Sequence, residues 1–239
     1  MGESTQVIAI DGPVAAGKTT VGRELASRLG LNYLDTGVMY RAITWLALRR
    51  KVPISDEAGL GRLAEESTIR LAGQDSSAVL VSGERVGPEL WEPKVVRNVS
   101  QVAQVPAVRR ALVEQQRTLA AEGHIVMVGR DIGTVVLPDA DIKLFITASA
   151  EVRARRRWQE LRDQGQAPDF DQVLAETRER DRIDTQRADS PLIAAEDAVL
   201  VETDDLSAEQ VTDLIIQQIQ ERAQKQTQQN WRPDQNELP

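Results

Sequence analysis

Residues 7–20 read Val7-Ile8-Ala9-Ile10-Asp11-Gly12-Pro13-Val14-Ala15-Ala16-Gly17-Lys18-Thr19-Thr20. The run Val7–Ile10 has the composition of a buried strand, and Gly12, Gly17, Lys18 and Thr19 stand at the spacing G-x-x-x-x-G-K-[ST]. Beyond them Val21, Leu25 and Leu29 recur at i, i+4 and i+8, one face of a helix, and Gly30 stands where a C′ glycine belongs. Strand, glycine-rich turn and helix, in that order, aim consecutive backbone N–H groups at one point, where they enclose a polyphosphate without side chains intervening. Lys18 would supply a point charge towards the β- and γ-phosphates, and the Thr19 hydroxyl a ligand for Mg²⁺. Gly12, Pro13, Val14, Ala15, Ala16, Gly17, Lys18, Thr19 and Thr20 are therefore expected to bind a nucleoside triphosphate.

Working outward, short apolar runs alternate with helical patterns, which predicts βαβ units and a parallel sheet in a three-layer α/β fold. The expected strands are Val7–Ile10, Asn32–Leu34, Ile125–Val128, Lys143–Ile146 and Ala198–Val201. Pro106 sits at an N1-like position ahead of Val108, Leu112 and Leu119, and Gly123 closes that helix. Ser207 and Gln210 form a capping box for a last helix with Val211, Leu214, Ile215 and Ile219 on one face. Residues 68–86 break the rhythm. Ile69-Arg70-Leu71-Ala72 and Val79-Leu80-Val81 flank the polar turn Gly73-Gln74-Asp75-Ser76-Ser77, and Ser82-Gly83-Glu84-Arg85-Val86 makes a second turn, so a small antiparallel sheet is expected as an insert. From Arg222 the chain is Gln-rich and polar, and residues 223–239 are expected to be a disordered tail, with Trp231 a docking residue or simply solvated.

With 239 residues, one sizeable domain fits, here taken as residues 1–222. Hydrophobic residues make up 41% but aromatic ones only 3%, so the core must be built from Val, Leu, Ile and Ala. A net charge of −8 argues against a protein that grips nucleic acid. The absence of cysteine excludes disulfides, thiolate chemistry and Cys-type zinc sites. Gly2 to Gln6 lack the features of a signal peptide, and no apolar run reaches membrane-spanning length; a cytoplasmic, membrane-independent protein is expected, and the acceptor pattern Asn98-Val99-Ser100 carries no weight.

A glycine-rich phosphate loop leaves switch, motor and kinase open. No asparagine begins the Asn-Lys-x-Asp guanine reader, and no basic track marks a motor. Arginine points to phosphoryl transfer. Nine of the 24 arginines fall between Glu151 and Ser190, a stretch without lysine; the planar guanidinium suits phosphate and stabilises charge on a transferred phosphoryl group. Arg153, Arg155, Arg156 and Arg157 start a helix ending near Gly165, and residues 151–168 read as an arginine-rich lid, with Arg153 and Arg157 as its catalytic candidates. The same stretch holds ten carboxylates, so many of these arginines also read as solvated ion pairs. Two further clusters end strands: Asp35-Thr36-Gly37 with Tyr40-Arg41, opening a helix, and Gly129-Arg130-Asp131-Ile132-Gly133-Thr134, at the carboxyl edge where α/β sheets bind ligands. Arg180, Asp184 and Arg187 are spaced to share a helix face, as site residues or as an ion-pair ladder. His124, the single histidine, reads as structural.

Taken together, the segments IDGPVAAGKTT, YLDTGVMYR, VSQVAQVPAVR, GRDIGTVVLPDA and ERDRIDTQRADSPL make the chain resemble the bacterial cytidylate kinases, from about Val7 to Arg222. The resemblance implies ATP-dependent phosphorylation of CMP and dCMP, with Mg²⁺, by a monomer acting on small nucleotides. It implies that the insert, about residues 60–100, is the monophosphate-binding region. Thr36, Tyr40 and Arg41 would form the monophosphate side, with Arg41 on the phosphate. Ser100, Arg109 and Asp131 would read the cytosine edge, Arg130 and Arg187 would hold the phosphate, and Arg180 and Asp184 would reach the ribose. Lys18, Arg130, Arg153, Arg157 and Arg187 are the expected catalytic set. Val128 stands where some relatives carry an acid, and Ala15 and Ala16 replace the more usual Gly or Ser, which ordinary φ values would tolerate. Other readings are a P-loop kinase for UMP or a metabolite hydroxyl, and a nucleotide-dependent switch.

Overall fold

The computed structural model describes residues 6–72 and 78–230, the last nine of these as backbone only. β1 (Val7–Asp11) leads into α1 (Lys18–Leu29), β2 (Asn32–Asp35), α2 (Thr36–Arg49) and α3 (Glu57–Glu65). Then come three short strands, β3 (Ile69–Leu71), β4 (Val79–Val81) and β5 (Glu84–Val86), and a single 3₁₀ turn, Pro88–Trp91. α4 (Pro93–Val102), α5 (Pro106–Ala120) and β6 (Ile125–Val128) precede a π turn at Ile132–Val136. β7 (Ile142–Thr147), the hairpin of α6 (Ala150–Asp163) and α7 (Phe170–Gln186), β8 (Val199–Glu202) and α8 (Ala208–Asn230) complete the chain.

Five strands form a parallel sheet in the order β2-β6-β1-β7-β8. Strand alternation explains why β1 is central. Ile8 and Ile10 face one side with Val126 and Val128, packing against Val21 and Leu25 of α1 and Val211 and Ile215 of α8. Ala9 faces the other with Leu34 and Met127, under Met39 and Ile43 of α2, Leu60 of α3 and Leu112 of α5. Both faces are covered, which a parallel sheet requires; each fully buried Leu or Ile contributes about 1.5–3 kcal/mol. The predicted small sheet is present, antiparallel in the order β3-β4-β5. Its Ile69, Val79, Val81 and Val86 join the same core as α2, so the insert rests on the helix that carries Tyr40 and Arg41. The expected turn at residues 73–77 lies outside the described residues.

Three expectations need correction. Leu214 is exposed, and Ile215 with Val211 holds the buried stripe of α8; Ile216 and Ile219 pack partly against that core. The backbone of α8 stays helical to Asn230, past the expected end of order, since Ala, Gln, Lys and Arg favour a helix even with nothing to bury; Trp231 and the rest of the tail lie outside the described residues. α7 stops at Gln186, so Arg187 is its C-cap residue, just beyond the helix that carries Arg180 and Asp184, and the Asp184 charge still reaches it. No helix among the described residues is long and apolar enough to cross a membrane.

Candidate active site

The register sets Asp35 and Ile10 on either side of Val128 at the carboxyl edge of the sheet, and Asp11, one residue further along β1, opposite Phe145. Gly12 is indispensable there: at φ 146° an added Cβ would lie 1.9 Å from the Ile146 carbonyl oxygen. Gly17 caps α1 in the left-handed region. Ala15 also lies there, at φ 57°, so the expectation of ordinary φ fails for this residue; the loop must reverse at Ala15 to turn its amides inward. Lys18 is buried and donates to the Pro13 carbonyl at 2.6 Å, bridging its own loop. Burial holds its pKa well below the usual lysine value, Arg130 adds to the depression, and Asp35 and Asp11 oppose it.

Two aspartates that stand in the quoted motifs without an expected site role organise this edge. Asp11 accepts from the Ile132 and Gly133 amides, both at 2.7 Å. It ties the phosphate loop to the segment carrying Arg130 and Asp131, and burial raises its pKa to about 6 despite those two donors. An acid ending an apolar strand, beside Gly12, was the available signal. Asp35 caps α2 by accepting from the Gly37 amide at 2.9 Å and accepts from the Thr19 hydroxyl at 3.2 Å. Thr36 donates to the Val128 carbonyl at 3.0 Å, stapling β2 to β6.

Beyond the loop, guanidinium groups converge. Arg41 and Arg180 each have pKa values lowered chiefly by burial, with Arg130 and Arg157 pressing on both; Arg180 falls to about 10. Nε and Nη1 of Arg41 and Nε of Arg180 are buried without a hydrogen-bond partner. Arg130 pairs with Asp184 at 3.0 Å. Deeper, Asp131 is held between Arg109, in direct contact, and Arg187, whose Nη2 lies 3.5 Å away. Tyr40 is a support here, its ring 5.8 Å from the Arg109 guanidinium and its hydroxyl pushed up to about 12 by burial. Ser100, half-buried on α4, is one turn from Ala103, whose carbonyl Arg109 grips at 3.3 Å.

The lid arginines divide. Arg153 makes a two-pronged pair with Asp181 of α7, at 2.9 and 2.6 Å, and donates to the Val14 carbonyl at 3.2 Å. Arg156 donates to the Thr203 hydroxyl at 3.0 Å, which lies 3.2 Å from the Ala16 carbonyl. Both fasten the hairpin to the phosphate loop. Arg157 pairs with Glu160 at 3.0 Å while its charge reaches Arg41 and Arg180.

A phosphate loop at the edge of a parallel sheet, facing a basin of cations short of counter-charge, defines a P-loop kinase. The solved gluconokinase from Sinorhizobium meliloti shares the fold, with a TM-score of 0.50 at 12% identity over 95% of this chain and 98% of that one. The family model described as Cytidylate kinase matches residues 8–221. The chain is 53% identical over 193 residues to a cytidylate kinase of Pelotomaculum thermopropionicum, covering 80% of this chain and 85% of the relative. It is 50% identical over 192 residues to one from Desulforamulus reducens, with coverage of 80% and 86%. The chain belongs to the cytidylate kinase family and is a nucleoside monophosphate kinase.

Proposed function

We propose that the chain transfers the γ-phosphoryl group of ATP to CMP and dCMP, giving CDP or dCDP and ADP. The observation that carries this reading is the buried, unpartnered guanidinium edges of Arg41 and Arg180 in a cluster of like charge. Unpaired buried donors are costly, and an anion repays that cost. A monophosphate there faces the phosphate loop that would hold ATP.

An acceptor phosphate oxygen attacks the γ-phosphorus in line, the bond from that phosphorus to the β-bridging oxygen breaks, and ADP leaves. The acceptor is already an anionic nucleophile, so no covalent enzyme intermediate is needed. Lys18 and the loop amides hold the donor phosphates, Arg41, Arg130 and Arg187 hold the acceptor, and Arg157 comes from the lid. Catalysis rests on positioning and charge neutralisation. Lid closure keeps water, a competing acceptor, from the γ-phosphate. The Thr19 hydroxyl and Asp35 carboxylate, 3.2 Å apart, are hard oxygen donors that fit Mg²⁺. That ion would neutralise charge on the donor phosphates.

Cytosine presents an amino donor beside acceptors, which suits the Asp131 carboxylate with Arg109 and Ser100. Asp184 would face the ribose, and Arg180 would reach both the ribose and the acceptor phosphate. The test is ADP release from ATP·Mg²⁺ with CMP, dCMP, UMP and AMP in parallel. Turnover with CMP and dCMP well above the others is expected, and silence with every acceptor in a folded, ATP-binding protein would sink the reading. Asp131→Ala should cut the preference for CMP over UMP by roughly 10- to 100-fold; an unchanged preference would remove Asp131 from base reading.

A further inference from the structure

Trp91 is the most conspicuous side chain that the reading above leaves unused. It ends the 3₁₀ turn after the small sheet and is 47% exposed, in a protein with eight aromatic residues. Its ring centroid lies 4.0 Å from the Arg41 guanidinium carbon, the closest of the cation–π contacts among the described residues. On another side Arg41 packs against Gly37, where an added Cβ would come within 3.2 Å of Nη1. No hydrogen bond holds Nε or Nη1; the Asp35 carboxylate attracts the group from a distance, and Arg130 and Arg157 repel it.

We infer that Trp91 is a positioning residue that holds Arg41 on the acceptor site, so that the insert contributes to monophosphate affinity through a cation–π platform. An arginine crowded by like charges gains by swinging towards water, and the negative face of an indole opposes that motion without using a single N–H donor. The donors stay free for phosphate. The arrangement also means that displacing the 3₁₀ turn displaces a phosphate ligand, linking insert position to acceptor binding.

This inference rests on the acceptor reading of Arg41, and the test separates the two. CMP and ATP binding are measured by calorimetry, together with KM and kcat, for the parent, W91L, W91F, R41A and W91L/R41A, each checked for folding by circular dichroism. W91L, which keeps bulk but removes the π face, should weaken CMP binding about tenfold and leave ATP binding unchanged; W91F should restore most of the loss. In the R41A background W91L should have no further effect. Parent-like CMP affinity in W91L, or an undiminished effect in R41A, overturns the role of Trp91 and leaves the kinase reading intact. A parent that neither binds nor phosphorylates CMP overturns the acceptor reading itself.

Discussion

The two halves of the proposed active site use the same residue type in opposite ways. On the donor side, Arg153 spends its guanidinium on Asp181, Val14 and Ala148, and Arg156 spends its own on Thr203. On the acceptor side, Arg41, Arg180 and Arg187 keep buried nitrogens without hydrogen-bond partners. In this comparison Arg153 and Arg156 read as braces, and Arg41, Arg180 and Arg187 as ligands in waiting. Substituting one of each breaks the comparison most sharply. Arg187→Ala should lower turnover about 10²- to 10³-fold with stability and ATP binding nearly unchanged, measured by steady-state kinetics; parent-like turnover would remove Arg187 from the site. Arg153→Ala should instead show its main loss in stability, roughly 2–4 kcal/mol by urea unfolding, because Asp181 is left without its partner. Similar profiles for the two variants would mean that hydrogen-bond occupancy does not sort these residues.

Asp11 joins the halves, and its titration tests how dry the junction is. Burial raises its carboxyl from 3.8 to about 6, so the native state binds this proton more tightly than the unfolded chain. The stability it gives is complete below pH 3.8 and is lost as pH rises through about 6. At about 1.4 kcal/mol per pH unit the loss approaches about 3 kcal/mol. Asp11→Asn has no such proton, so the stability of the parent relative to this variant should fall by about 2 kcal/mol between pH 4 and pH 7 in urea melts. A flat difference would mean that the carboxylate is hydrated at the junction.

That junction also marks where the sequence ceased to be legible. The strands, the phosphate loop, the insert and the capping box of α8 follow from local pattern, because alternation, glycine and cap chemistry act within a few residues. The Ser207 and Gln210 bonds form as their spacing predicts, at 2.8 and 3.2 Å. Asp11 shows in local pattern only as an acid ending an apolar strand, and its partners are more than 120 residues away. Arg153 and Arg187 look alike in sequence and are told apart by how fully hydrogen bonds take up the guanidinium, which tertiary packing decides: Arg153 forms a two-pronged pair with Asp181, while Nη2 of Arg187 makes no hydrogen bond although Asp131 lies 3.5 Å away. Trp91 reads as one aromatic in a turn until the insert folds back onto α2. Leu214 kept helical spacing and still faces water, since a stripe is buried only as far as its partner surface extends.

The smallest expected effect lies in the donor loop, whose conformation is set by backbone and not by arginine. Ala15 at φ 57° carries a Cβ in a region that disfavours it by about 1–2 kcal/mol. Glycine would remove that strain at the cost of greater freedom in the unfolded chain, roughly 0.5–1 kcal/mol. The balance predicts that Ala15→Gly stabilises the protein by up to about 1 kcal/mol, read from urea midpoints at constant m-value. It should leave CMP affinity alone, because among the described residues no hydrogen bond joins Ala15 to a proposed acceptor residue. If stability falls, the loop gains more from alanine's restricted unfolded state than it loses in strain. If CMP affinity moves with it, the donor and acceptor halves are coupled through more than Asp11.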